Sequence, residues 1–218
     1  VCDKVESVHG KREFGTKDEV IRKCFSSLCE AIRVYEKEKP GSVGLTVVRD
    51  NLRKETSDFL KEQLESRGIK FKTVDSIPGG NVGSFRTCFD IALKMDENQF
   101  VLFLEDDYLC HPEFISEILG FFRMFDRNHN SVFLNPTTDV GDPGVVEIKG
   151  RKYRRATVLP SKKGGLGIWW RQTWHSTSTF AAKVGSLLKH KKVFDEIFKQ
   201  KELNQYKRNT IFSESPCF

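Results

Sequence analysis

A run of apolar residues long enough to cross a bilayer is missing: the longest, Phe100 to Leu104, has five residues, far short of the roughly 20 that a spanning helix requires. Metal-binding patterns of the zinc type are missing too. The six cysteines (Cys2, Cys24, Cys29, Cys88, Cys110, Cys217) contain no C-x-x-C pair, and none of the five histidines stands at i,i+4 to another, which removes the usual structural zinc sets. The phosphate loop G-x-x-x-x-G-K-[ST] is absent, because Gly79-Gly80-Asn81-Val82-Gly83-Ser84 lacks the lysine, and so is the dinucleotide fingerprint G-x-G-x-x-G. No internal repeat and no low-complexity tract appears. No basic segment leading into an apolar stretch opens the chain. Its first residue is Val1 rather than Met, which reads as a processed or excised fragment. Cysteines without a framework read as reduced thiols, so the expected compartment is cytoplasmic, with a lumenal fragment lacking its anchor as the alternative.

What is present suffices for one substantial core. A chain of 218 residues with 38% apolar composition buries roughly 70% of the surface its unfolded form exposes. We therefore expect a single domain over 1–218 that needs no disulfide or structural metal. The net charge is +6, from 36 basic and 30 acidic residues, and it accumulates late, at Lys149 to Arg155, Lys162-Lys163 and Lys189 to Lys192. A basic second half suits an anionic partner, although each cluster alone reads equally as a solvated face.

Periodic segments alternate along the first 135 residues. Asp18 to Glu36 carries Val20, Ile21, Cys24, Leu28, Ala31, Ile32 and Tyr35 at helical spacing and ends at Lys39-Pro40-Gly41, which predicts an amphipathic helix. Val43 to Val48 is short and β-branched and stops at Asp50-Asn51, as a buried strand does. Thr56 to Arg67 predicts a helix stopped by Gly68, and Ile69 to Val74 alternates at period two. After the loop at Pro78 to Asn81, Val82 to Met95 predicts a helix and Phe100 to Leu104 a strand apolar on both faces, the pattern of a central strand covered by helices. Pro112 to Asp126 reads as a helix and Ser131 to Asn135 as a strand. Beyond Thr137 the alternation weakens, with one further strand expected at Thr177 to Ala182. Helix and strand in turn predict an α/β fold with a mostly parallel sheet flanked by helices.

Glu105-Asp106-Asp107 stands directly at the carboxyl end of the apolar strand, the edge at which open α/β sheets bind ligands. Adjacent like charges repel unless a cation compensates them. Carboxylates in this number suit Mg2+ or Mn2+, which take one or two acids and fill the shell with water and phosphate oxygens. The plain alternative is a solvated turn that ends a strand.

Cys24-Phe25-Ser26-Ser27-Leu28 in the opening helix, the strand ending in Asp50-Asn51, the loop Gly80-Asn81-Val82-Gly83-Ser84-Phe85-Arg86 and the run Val101-Leu102-Phe103-Leu104-Glu105-Asp106-Asp107 follow one another in order. Over roughly 12–125 this series resembles a GT-A glycosyltransferase of the family 2 type. The resemblance implies a Rossmann-like GT-A domain, with 1–110 as the nucleotide-sugar-binding half and 111–218 facing the acceptor. It also implies a metal-dependent transfer of sugar from a nucleotide-sugar donor to a glycan or other hydroxyl acceptor, with Mn2+ or Mg2+ held by Glu105 and Asp107. Asp106 would lie near the ribose or donor sugar. Asp50 and Asn51 would meet the nucleoside, Asn81, Gly83 and Arg86 would line the nucleotide pocket, and Arg12 would touch the nucleotide after a first strand.

An inverting transfer needs a carboxylate as general base. The chain departs here from the family's acid motif, leaving Asp139, Asp142, Glu147 and Asp195-Glu196, of which Asp195 is favoured because Val193-Phe194-Asp195-Glu196 resembles the family's F-D-E segment. His175, after Trp174, matches the late histidine that such enzymes use as an added metal ligand. Trp169, Trp170, Trp174 and Tyr153 suit either sugar platforms or core packing. The competing reading is a Mg2+-dependent nucleic-acid processing or binding domain. It is disfavoured by the lack of a helix-turn-helix, RNP or zinc signature, and no nucleic acid is expected as partner.

Overall fold

The computed structural model describes residues 15–78, 80–125, 133–134, 145–148, 151–154, 157–158, 170–171 and 179–202. Its elements run α1 (Lys17–Glu38), β1 (Leu45–Arg49), α2 (Lys54–Ser66), β2 (Phe71–Asp75), α3 (Gly80–Ala92), β3 (Phe100–Phe103), α4 (Phe114–Phe125), β4 (Phe133–Leu134), β5 (Val145–Ile148), β6 (Arg151–Arg154), β7 (Thr157–Val158), β8 (Trp170–Arg171), β9 (Phe180–Lys183), α5 (Val184–Lys189) and α6 (Lys191–Glu202). The fold is mixed α/β. Among the described residues no helix is long and apolar enough to cross a membrane.

Two compact units divide the chain. One takes the described residues up to Asp90 together with Leu104–Glu117; the other takes Ile91–Phe103 and the described residues from Ile118 onward.

In the first unit α1 starts at a capping box. Thr16 Oγ1 accepts from the Glu19 N–H at 3.3 Å, and the Glu19 carboxylate accepts from the Thr16 N–H at 2.7 Å, so two otherwise orphaned donors are satisfied. The buried stripe Ile21, Phe25 and Cys29 then meets Val47 of β1 and Leu60 and Leu64 of α2 in one core, with Leu28, Leu45, Phe59, Ile69 and Phe71 packed at its margin. Burying each large side chain contributes roughly 1.5–3 kcal/mol. β1 and β2 pair in parallel from Leu45↔Phe71 to Arg49↔Asp75, and α2 makes the crossover that parallel neighbours require. Gly68, at φ +64°, ends α2 in the left-handed conformation that costs glycine least.

In the second unit β9 lies between β3 and β4 and runs antiparallel to both, pairing Phe103↔Phe180 on one side and Phe133↔Ala182 on the other. Aromatic rings fill its core. The Phe180 ring stands 4.8 Å from Phe103, 5.8 Å from Phe133 and 6.1 Å from Phe194, within the range at which aromatic pairs attract. β5 pairs with β6 and β7 with β8, both antiparallel.

The segment boundaries predicted from periodicity fall within a few residues of these elements. The sheet differs from the expectation. In place of one mostly parallel sheet the described strands form a parallel pair, an antiparallel triplet and two antiparallel pairs. β3 is also less enclosed than its composition implies: Phe100 is 37% exposed and Val101 and Leu102 are half-buried. Among the described strands it lies at an edge of the triplet, with β9 as its neighbour, and edge strands are commonly less enclosed than central ones. The Lys183 ammonium lies 5.5 Å from the Phe100 ring and partly shields it.

Candidate functional site

Open α/β sheets bind ligands at the carboxyl edge of their parallel strands. At this edge of β1 and β2 the first unit has an open cavity of about 240 Å³ lined by Arg49, Asn51, Leu52, Ser57 and Asp75. Arg49 and Asp75 are the last residues of their strands and register partners. Their guanidinium and carboxylate groups meet at 2.8 Å, and the Ser76 N–H extends the ladder by donating to the Arg49 carbonyl at 2.8 Å. The Arg49 Nε is buried without a hydrogen-bond partner, an arrangement that favours an added acceptor. Asn51 turns the chain out of β1 at φ +52°, a left-handed conformation that asparagine tolerates better than most residues and that recurs at functional turns.

Of the predicted nucleoside contacts, Asn51 lines this cavity. Asp50 stands half-buried beside it in the chain but is not among the lining residues. Arg49, Ser57 and Asp75 were not singled out from the sequence. Asp75 had a detectable signal, a strand-terminal acid one crossover after Asp50, whereas Arg49 reads as an ordinary end to a β-branched run.

Asn81 is exposed in the first turn of α3 and Arg86 is half-buried one turn later. Gly83 has a packing role. A Cβ there would lie 2.3 Å from the Ile77 carbonyl oxygen and 2.9 Å from that of Pro78, so the preceding loop occupies the volume of a side chain. Thr87 fixes that loop by donating to the Gly83 carbonyl at 2.9 Å and accepting from the Ile77 N–H at 3.1 Å.

The acidic triplet forms a turn immediately after β3, with Glu105 and Asp106 half-buried and Asp107 exposed. Bonds tie this turn and the segment after it to α1. The Lys17 ammonium pairs with the Asp106 carboxylate, and the Ser27 hydroxyl accepts from the Cys110 N–H at 2.9 Å. Ser27 entered the sequence reading only within Cys24 to Leu28, with no role of its own, and Lys17 was not singled out, since both partners lie more than 80 residues away. Burial pushes the Cys110 thiol up to about 12 and the Cys29 thiol to about 11, so neither is a nucleophile near neutral pH.

No three His, Cys, Asp or Glu side chains converge as a metal-binding group among the described residues. The donor set still fits Mg2+ or Mn2+, whose protein ligands are commonly one or two carboxylates supplemented by substrate phosphates. Glu105 and Asp107 are donors of that type, and Asp106 pairs with Lys17.

Asp195 belongs to the other unit. It lies on α6 with the Lys191 ammonium 2.6 Å from its carboxylate one turn away, the ordinary geometry of a helix-surface pair. Arg12 and His175 lie outside the described residues, as do Asp139, Asp142, Trp169 and Trp174. Glu147, Tyr153 and Trp170 fall on β5, β6 and β8.

Comparison of the chain with protein-family models, curated proteins and solved structures finds no match.

Proposed function

We propose that the chain is a GT-A glycosyltransferase that moves a sugar from a nucleotide donor to a hydroxyl acceptor, with inversion, assisted by Mn2+ or Mg2+. The observation that carries this reading is the composition of the first unit. It combines a parallel β-α-β crossover, a cavity at its carboxyl edge, and a turn of three acids that follows the next strand.

Each part has a role in the proposal. The Arg49–Asp75 pair sets a donor group beside an acceptor where a nucleobase edge would be read, and Asn51 and Ser57 add neutral hydrogen-bonding groups. Glu105 and Asp107 hold the divalent ion. When bound, that ion offsets the charge that grows on the diphosphate as the glycosidic bond breaks. Arg86 adds a fixed positive group near the nucleotide loop, and Asp195 is the proposed general base. Arg12 and His175 keep the roles that the resemblance implies. The larger Rossmann-like sheet of a GT-A domain is part of this proposal.

The test is a thermal-shift screen of the full chain with UDP, GDP, CMP and their sugar conjugates, each with Mn2+, with Mg2+ and with chelator. A native-state ligand raises the melting temperature by mass action. One nucleotide should shift it, and chelator should remove the shift. Asp107→Ala should abolish the metal-dependent shift while leaving the fold intact, since Asp107 is exposed. No shift with any nucleotide, together with salt-sensitive polynucleotide binding, would move the assignment to the nucleic-acid class.

A further inference from the structure

Among the described residues, the cavity at the carboxyl edge of β1 and β2 is lined by two of opposite charge, Arg49 and Asp75, and by Asn51, Leu52 and Ser57, which carry none. The two charges cancel. Their meeting follows from the sheet register, since Arg49 and Asp75 are the last partners of the parallel pair. It adds little to folding: the Asp75 side chain is 79% exposed against 33% for Arg49, and an ion pair with one partner in water is a weak source of stability. The contact is also one-sided. Asp75 meets the guanidinium through Nη2 at 2.8 Å, while Nε has no partner, so the groups do not form the side-on fork that locks an arginine to a carboxylate. Arg49 keeps donor capacity for a ligand.

Without Asp75 the same cavity would suit an anion. A half-buried guanidinium beside a hydroxyl and an amide is the chemistry that takes phosphate. A nucleotide-sugar donor joins an uncharged base to two phosphates, and both parts would compete for such an arginine. We propose that Asp75 is a specificity-determining residue that bars phosphate from this cavity and reserves it for the uncharged base, a proposal that rests on the glycosyltransferase reading. Its charge repels the diphosphate and cancels the attraction of Arg49. Its carboxylate accepts an N–H of the base, beside a ring acceptor bonded by Arg49. The donor then binds in one sense, with the base in the cavity and the diphosphate outside it.

The test measures binding of inorganic pyrophosphate to the full chain by isothermal titration calorimetry, without metal, at low and high salt. Asp75→Asn keeps the side-chain shape and removes one negative charge a few ångströms from the guanidinium, so pyrophosphate affinity should rise about tenfold. High salt should shrink the gain. Adding Arg49→Gln should abolish it, and adding Arg49→Lys, which keeps the charge, should preserve it. In thermal shift with Mn2+, the nucleotide that stabilises the parent should stabilise Asp75→Asn less. A residue that only holds Arg49 or β2 in place predicts instead that Asp75→Asn loses pyrophosphate and nucleotide binding together. That result, or a pyrophosphate affinity equal to the parent's, overturns the inference. So does a gain that survives Arg49→Gln, which would place the added binding elsewhere on the chain. Should the Arg49→Gln chain fail to fold, the same point is decided in Asp75→Asn by whether pyrophosphate protects Arg49 from phenylglyoxal, read by mass spectrometry; absence of protection overturns the inference. If the pyrophosphate gain appears but none of UDP, GDP and CMP stabilises the parent with Mn2+ or Mg2+, the glycosyltransferase reading fails and takes the base with it, while the exclusion of phosphate stands.

Discussion

In the first unit two parallel strands are joined through a helix of nearby sequence, and the core between α1, β1 and α2 is largely aliphatic, built from Ile21, Val47, Leu60 and Leu64. In the second unit the middle strand, β9, comes about 80 residues after β3 yet pairs with it directly, and the core is a group of phenylalanines. The first arrangement is local and leaves a crevice at one edge. The second draws on distant segments and uses large rings to fill the space that they enclose. Chemistry-bearing side chains collect in the unit with local connections, where Arg49, Asp75, Lys17 and the acidic turn are found.

The sharpest way to break this contrast is at Phe180, whose ring lies beside those of Phe103, Phe133 and Phe194. Phe180 is 1% exposed, and Phe180→Ala should cost about 3–5 kcal/mol of unfolding free energy in a denaturant titration. Hydrogen exchange should show the loss concentrated in β3 and β9; equal loss across β1 and β2 would mean that the aromatic core supports both units alike. In the first unit, Gly83→Ala pushes a methyl group into the carbonyls of Ile77 and Pro78 and should cost about 1–3 kcal/mol. It should also weaken nucleotide-dependent stabilisation if α3 lines that pocket. Thr16→Ala removes one half of the capping box and should cost about 1 kcal/mol, measured as a shift in the denaturation midpoint at unchanged slope.

The smallest effect is a pH slope in the second unit. His190 sits half-buried with its ring 5.6 Å from that of Phe133 and its Nε2 buried without a partner. Burial first, and then the neighbouring Lys189, lower its pKa below the ordinary 6.5. The unfolded chain therefore takes up the proton at higher pH than the folded one. Stability is full above about pH 6.5, falls as pH drops through that value, and levels off once the folded histidine is also protonated. His190→Gln should flatten this part of the profile, and a slope unchanged in that variant would assign it to other groups.

Much of the element order was legible because helices and strands repeat their apolar residues at fixed periods. α1 was visible from Val20 to Tyr35, β2 from its alternation, and β3 from an apolar run. What failed at β3 was its predicted enclosure. Composition records that Phe100 to Leu104 is apolar, but whether a strand is central or at an edge depends on which distant segment pairs with it. For the same reason the weak signal at Thr177 to Ala182 located β9 approximately and said nothing of its place between β3 and β4. Within the candidate site, Asn51 and the acids of 105–107 were legible from their positions after strands. Arg49 and Lys17 were not, since a lysine or arginine on a helix or strand end has many unremarkable uses.

By itself, then, the amino-acid sequence determined local conformation: which segments are helical or extended, where glycine, proline and asparagine turn the chain, and that three acids follow an apolar strand. These depend on neighbours a few residues apart. Tertiary structure alone decided the antiparallel insertion of β9, the meeting of Arg49 with Asp75, and the neutralisation of Asp106 by Lys17. Pairings of this kind form only when the packing of a core brings remote backbone together, because the loss of chain entropy on closing such long loops is offset by burial elsewhere.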